Sequence, residues 1–302
     1  MSGARRVVPM FSCGAGVQST TIALLMRDGH LPLVEHVVFA DTGWEPAAVY
    51  AQLERLAEVF TELGIPLHRV SEGNLRADTI NPRHRFASVP YFVLGRDGSH
   101  GMGRRQCTAE YKLSPINRKV RELLGAAPPK FRRVPTGRVA EQWIGFSTDE
   151  IGRVSPSRVR YLRPRYPLLE LGMSRRDCQR YLERAGWGAT AKSACIGCPY
   201  HGNQQWRTLR DEHPTEWADA VAFDAAIRRG GARGLPLDGQ AFLHRSRVPL
   251  DQAPIDHWTR GDIAAATAQA QLDLFEDGDP DGCSPYGCRS GEPITTAEEE
   301  TP

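Results

Sequence analysis

VVPMFSCGAGVQSTTIALLMRD, residues 7–28, decides how the rest of the chain is read. A short apolar run rich in valine enters a loop carrying Gly14 and Gly16. Ser19, Thr20 and Thr21 then open an apolar helical run through Ala23, Leu24, Leu25 and Met26. Glycines let a backbone bend and approach a ligand, while the unpaired N–H groups and positive dipole end of a new helix favour an anion. The stretch therefore reads as strand, phosphate-sized loop and helix. An ordinary strand-to-helix turn uses the same residues, so the loop alone leaves both readings open. A Walker loop is excluded, because it needs a lysine on the outer phosphates and the first lysine here is Lys112. Pro9 is unexpected in a central strand, having no N–H for a ladder.

The chain has 302 residues, enough for one large domain with an appendage and an ample core. No apolar run reaches the length of a membrane span, and residues 1–6 contain no signal-type apolar segment; the expectation is a cytoplasmic protein off the membrane. Net charge is only +2, but residues 273–302 hold nine acidic side chains and one arginine. The remaining body is correspondingly basic, most of all over 130–165, where Arg158, Arg160, Arg163 and Arg165 crowd around Tyr161. A polyanion such as DNA or tRNA suits that segment. Arginine's excess over lysine suits a GC-rich genome equally well. Seven cysteines without an export signal point to metal or redox chemistry and away from a disulfide framework.

Further along, residues 34–40 read as a buried parallel strand ending in Asp41-Thr42-Gly43-Trp44-Glu45. Pro46 suits the first turn of a helix with apolar positions at Val49, Leu53, Leu56, Val59 and Phe60, and residues 65–70 give the next strand. Such alternation predicts an α/β fold, a doubly wound parallel sheet whose ligands sit at the carboxyl ends of the strands. Residues 72–106 show no period and read as a long lid or substrate loop. A helix is expected from Pro115 to Leu124, a strand over 142–146, and a helix from Ser174 to Ala185 with Ser174 as N-cap. The organisation expected is a nucleotide-binding domain over 1–200, a helical C-terminal extension over 201–275, with a last helix near 262–275, and an acidic tail over 276–302.

Cys195-x-x-Cys198 lets two thiolates reach one centre. Cys107 is the natural third ligand, with Cys283 or Cys288 as a fourth. Cysteine-only ligation fits structural zinc or an iron–sulfur cluster, and the residues leave the two open. Cys178 reads as a buried hydrophobe, and Cys13 is as easily buried as functional. Asp41, at a strand end, could hold magnesium beside a phosphate or cap a helix. Asp149 and Glu150 beside Arg153 could line a site or form a solvated turn.

The order Ser12-x-Gly14-x-Gly16-x-Gln18-Ser19-Thr20 resembles the PP-loop of the ATP pyrophosphatases, usually Ser-Gly-Gly-x-Asp-Ser, from which Cys13 and Gln18 depart. With Phe39-Ala40-Asp41-Thr42-Gly43, Arg105-x-Cys107-Thr108 plus Lys112, and Gly145-x-Ser147-x-Asp149-Glu150-x-x-Arg153, residues 7–200 look like the phosphoadenosine-phosphosulfate reductase branch of that superfamily. The Cys107 and Cys195-x-x-Cys198 pattern is most similar to its cluster-bearing sulfur-insertion members, such as the ATP pyrophosphatase of DNA phosphorothioation and the cluster-dependent tRNA thiolases. The Glu-Cys-Gly-Leu-His nucleophile of the sulfate-acting reductases is absent.

The resemblance implies an adenine nucleotide α-hydrolase fold that binds ATP and Mg2+ and cuts between the α- and β-phosphates. Ser12, Gly14, Gly16, Gln18, Ser19 and Thr20, with Thr42, Gly43, Glu150 and Arg153, would bind the nucleotide. Asp41, Arg105, Lys112 and Asp149 would act on the reacting phosphates. The cysteines would hold a cluster, 4Fe-4S in type, that works with a sulfur donor protein. Reduction of phosphoadenosine phosphosulfate or a related sulfonucleotide is the alternative reaction. A nucleic-acid-binding module with structural zinc is the alternative without catalysis.

Overall fold

The structure, a computed structural model, describes residues 5–85, 89–126, 133–230, 237–259 and 263. The first half runs β1 (Arg6–Ser12), α1 (Val17–Arg27), β2 (His36–Asp41), α2 (Ala47–Glu62), β3 (Leu67–Ser71), α3 (Leu75–Ile80), β4 (Phe92–Leu94) and β5 (His100–Met102). A π-helical turn, Thr108–Leu113, leads into α4 (Ser114–Leu123) and β6 (Arg138–Ile144). A 3-10 turn over Thr148–Arg153, β7 (Leu162–Arg165), α5 (Pro167–Glu170) and α6 (Arg175–Arg184) follow. The chain continues through α7 (Asn203–Glu212), α8 (Pro214–Ala226) and β8 (Gln240–Phe242).

Strands β3-β2-β1-β6-β7 form one sheet in that order, every pair parallel. Successive side chains of a strand face opposite sides, and the cores follow that rule. Phe11, Val37, Phe39 and Trp143 pack with Leu24 of α1, Leu53 of α2 and Leu182 of α6. Met10, Val38, Ala40 and Ala140 pack with Ile116 and Val120 of α4 on the other face. The fold is α/β, with helices against both faces of a parallel sheet. Because all five strands run the same way, the segments after β1, β2 and β6 meet at one edge, with β1 between its outward neighbours β2 and β6.

Pro9 does lie in central β1, opposite Glu141 of β6. A residue's N–H and C=O point to the same side of a strand, and the Pro9 carbonyl accepts from Glu35 N at 2.9 Å. Its missing donor therefore faces the approach to β2, which begins only at His36, so no ladder bond is lost.

Residues 72–106 are not a structureless loop. They hold α3 and two strands of a second, antiparallel sheet, β5-β4-β8, in which Phe92 pairs with Met102 on one side and Phe242 on the other. Three-residue strands are too short to show a period, and β8 is contributed from far along the chain. A third core joins Trp44, Leu75 and Tyr111 to Cys195, Trp206, Phe223 and Leu243. The helix expected from Pro115 begins earlier, with the π turn. Pro115 has no N–H to give the Tyr111 carbonyl, the bond an uninterrupted α-helix requires there. Ser174 caps α6 as expected, in a capping box with Asp177. Among the described residues no helix is long and apolar enough to cross a membrane. Cys283, Cys288, the tail over 276–302 and, apart from Ile263, the helix expected over 262–275 lie outside the described residues.

Candidate functional site

The loop between β1 and α1 uses its small residues in a different way from the one composition suggests. The left-handed residue is Ala15, at φ +54°, in a region where an L side chain is disfavoured by roughly 1–2 kcal/mol. Gly14 and Gly16 have ordinary φ; what Gly16 supplies is space. A Cβ there would fall 3.0 Å from the Cβ of Ser193 and 3.3 Å from its nitrogen. One at Gly14 would lie 3.6 Å from both Ser19 Oγ and Ser193 Oγ. The segment leading to Cys195 therefore lies directly on the loop. Gly16 is the N-cap of α1 and brings no side-chain hydrogen bond to the first turn, leaving its N–H end available to an anion.

Of the predicted loop ligands, Ser19 is at the loop, its Oγ accepting from Gly14 N at 3.0 Å. Ser12 and Thr20 are turned into the fold: Ser12 Oγ accepts from Gln142 Nε2 at 2.6 Å, and Thr20 Oγ1 from Gln52 Nε2 at 3.1 Å. Both are structural bonds. Gln18 reaches across the sheet edge, its Nε2 donating to Glu150 Oε2 at 3.2 Å, and Glu150 is ion-paired with Arg153 through its other oxygen. Arg153 stacks over Phe146 at 5.1 Å, and Phe146 over Tyr166 at 5.5 Å. Gln18, Glu150 and Arg153 are thus one cluster beside the glycine loop.

Asp41 ends β2. Its Oδ1 accepts from Gly43 N at 2.7 Å and from the Tyr50 hydroxyl at 2.8 Å. Burial and this bond raise the Tyr50 pKa, keeping the hydroxyl a donor. Gly43 does need its freedom: φ is +69°, and a Cβ would meet Asn74 at 3.0 Å. Asp149 serves α6 instead of the loop, its Oδ2 accepting from Arg175 N at 2.6 Å and Ser147 Oγ at 3.0 Å.

Cys107, Cys195 and Cys198, far apart in sequence, line one cavity with Thr42, Trp44, Arg105, Lys112 and Tyr200. The cavity is small and partly open to solvent. Cys107 comes to it at the start of the π turn that also carries Lys112. Arg105 lies over the Tyr200 ring at 4.6 Å. Behind Cys195 is a buried polar group that sequence reasoning passed over. Glu45 Oε1 is 3.4 Å from Cys195 Sγ, 3.0 Å from the Thr42 hydroxyl that donates to it, and 3.6 Å from Lys112 Nζ. Its position, four residues after Asp41 on the same strand-end segment, was the available signal.

Among the described residues no group of three or more His, Cys, Asp or Glu is arranged to hold one metal ion. The donor chemistry of the cavity is nevertheless that of soft-metal sites: three sulfurs, with Arg105 and Lys112 to offset thiolate charge. His201 is not a further ligand. Its ring nitrogens lie 3.0 Å from the Cys195 carbonyl oxygen and 3.2 Å from Gln205 Oε1, and burial, reinforced by Lys192, lowers its pKa to about 4. Cys13 and Cys178 are buried, which pushes each thiol up to about 12, well away from nucleophilic use.

No protein-family model matches the chain, and no curated protein matches it.

Proposed function

We propose that this chain is a PP-loop nucleotide α-hydrolase-like enzyme of the doubly wound type that adenylates an acceptor for cluster-assisted sulfur transfer. The observation that carries the reading is spatial: three cysteines and two cations line one cavity, and the segment bearing two of those cysteines lies on the glycine loop.

In this reading the N–H groups at the start of α1, with Ser19, hold the phosphates of ATP. Asp41, at the carboxyl end of β2, holds Mg2+ or water beside them. Gln18, Glu150 and Arg153 close the side of the loop toward β6. An acceptor oxygen attacks the α-phosphorus, the bond to the bridging oxygen breaks, and pyrophosphate leaves. That oxygen then departs with AMP when a sulfur nucleophile displaces it. Arg105 and Lys112 offset negative charge where the phosphates and the incoming sulfur meet.

Cys107, Cys195 and Cys198 would hold an iron–sulfur cluster, whose thiolates bind separate irons and so need not converge on one point. When bound, such a group supplies iron able to carry sulfur. DNA or tRNA as acceptor, and a protein as sulfur donor, belong to this proposal.

The test is product analysis with ATP labelled in separate assays at the α- and the γ-phosphate, with and without DNA or tRNA. AMP and pyrophosphate are expected; ADP and orthophosphate alone would refute the reading. Consumption of a sulfonucleotide in preference to ATP would replace it with the reductase alternative.

A further inference from the structure

Gly197, within the Cys195-x-x-Cys198 turn, has an ordinary φ, so the turn does not require glycine for its dihedrals. The requirement comes from outside. A Cβ at 197 would fall 2.0 Å from Trp44 Cη2, and 2.7 and 2.8 Å from two further atoms of the same ring. The indole is seated directly on the backbone of the turn. Trp44 also holds the turn through its main chain, its carbonyl accepting from Ile196 N at 3.0 Å.

Trp44 is itself held by α8. Its Nε1 donates to Asp219 Oδ2 at 2.7 Å, while Asp219 Oδ1 is ion-paired with Arg76, 2.7 Å from its Nε. The indole packs on Phe223 with ring centroids 4.4 Å apart. One turn back, Glu216 Oε1 accepts from Ala47 N at 2.7 Å, at the start of α2. Residues 216, 219 and 223 recur at helical spacing and so share one face of α8. That face is spent on Trp44, on Arg76 of α3 and on Ala47 at the start of α2.

We propose that α8, acting through Asp219 and Trp44, is the brace that fixes the Cys195-x-x-Cys198 turn. The C-terminal segment thereby becomes a positioning part of the cysteine centre. Asp219 touches neither thiol; it fixes the ring that fixes the turn. The brace bears on metal loading only insofar as the cysteine centre holds a metal, and to that extent it rests on the function proposed above. The geometry of the turn does not.

The experiment follows alkylation of each cysteine by iodoacetamide, read by mass spectrometry on the metal-free full-length protein. A hydrogen bond to a charged group governs the opening, so Asp219→Ala and Trp44→Phe should each raise the rates at Cys195 and Cys198 by about tenfold or more. The double variant should raise the rates by less than the product of the two single factors, because both remove the bond from Trp44 Nε1 to Asp219. Asp219→Asn, which keeps one oxygen for Trp44 Nε1 but loses the ion pair with Arg76, should fall between wild type and Asp219→Ala. Cys13 and Cys178, buried in the core around α1 and α6, are internal controls whose rates should not change. Unchanged rates at Cys195 and Cys198, additive effects, or a parallel rise at Cys13 and Cys178 would each overturn the brace. In anaerobically purified protein, Asp219→Ala should also carry less iron than wild type. Wild type free of iron would overturn the cluster reading while leaving the alkylation result to decide the brace.

Discussion

Lys112 Nζ lies 3.6 Å from Glu45 Oε1 with both side chains more than nine-tenths buried, beneath the cavity lined by the three cysteines. Among the described residues Glu45 Oε2 has no hydrogen-bond partner. Removing one member of a buried pair strands the other's charge, typically at about 3–5 kcal/mol. Glu45→Gln and Lys112→Met should each lower unfolding free energy by about 3 kcal/mol in urea titrations. The double variant should lose less than the two single losses combined, since neither charge is then stranded.

Gly16→Ala forces a Cβ against Ser193 and should cost about 1–3 kcal/mol by the same measurement. Gly14→Ala, with its nearest neighbours at ordinary contact distance, should change folding stability by no more than about 0.5 kcal/mol. Equal losses at the two positions would show that the close approach of Ser193 is not what constrains the loop.

His244 sets a pH dependence. Its Nδ1 accepts from Ser246 N at 3.1 Å, so the ring proton is on Nε2, facing Asn203 Oδ1 at 3.0 Å. Burial, helped by Arg245, lowers its pKa from 6.5 to about 4. Between those values the unfolded chain takes up a proton that the folded one refuses. This contribution to stability is therefore complete above pH 6.5 and is lost as pH falls toward 4. His244→Gln should flatten the decline over that window, and a decline of unchanged steepness would exclude His244 as its source.

Within the basic segment, Arg158, Arg160 and Arg163 are exposed. Arg165 is engaged with Glu170 and Glu141 and lies over Trp143 at 4.8 Å. Changing the first three to Ala should leave the melting temperature in place. If they contact phosphates, it should reduce the slope of log affinity for DNA or RNA against log salt by about 3. Arg165→Ala should instead lower stability by about 1 kcal/mol. Binding that ignores both salt and the triple change would return the arginines to genome composition.

Much of the parallel sheet was legible in the sequence because its signals are local. The valine-rich run before Gly14, the run ending at Asp41 and the spacing from Val49 to Phe60 each declare an element within one window. The Ser174–Asp177 capping box is equally local. Strands β4, β5 and β8 were not legible, since three residues carry no period and their pairing is settled by distant chain. The same limit applies to the site. Cys107, Cys195 and Cys198 were recognisable as candidates from residue type and spacing, yet Glu45, Ser193 and Trp44 matter through contacts that no window contains. Glycine was read as conformational freedom at positions 14 and 16; the structure uses Gly16, and Gly197 as well, for clearance and puts the left-handed conformation on Ala15.

The seat of Ser193 on the glycine loop carries a thermodynamic consequence. Ser193 is joined to Cys195 through Ala194 alone, so displacing the serine from Gly16 strains the tether that positions the thiol, and fixing the thiol restrains the serine. Two ligands sharing such a tether are linked, and linkage is reciprocal: an occupant of the loop that changes affinity at the cysteines must have its own affinity changed by the same factor. Alkylation or metal loading at Cys195 would then register as a shift in the dissociation constant of an anion at the loop, with no contact between the two.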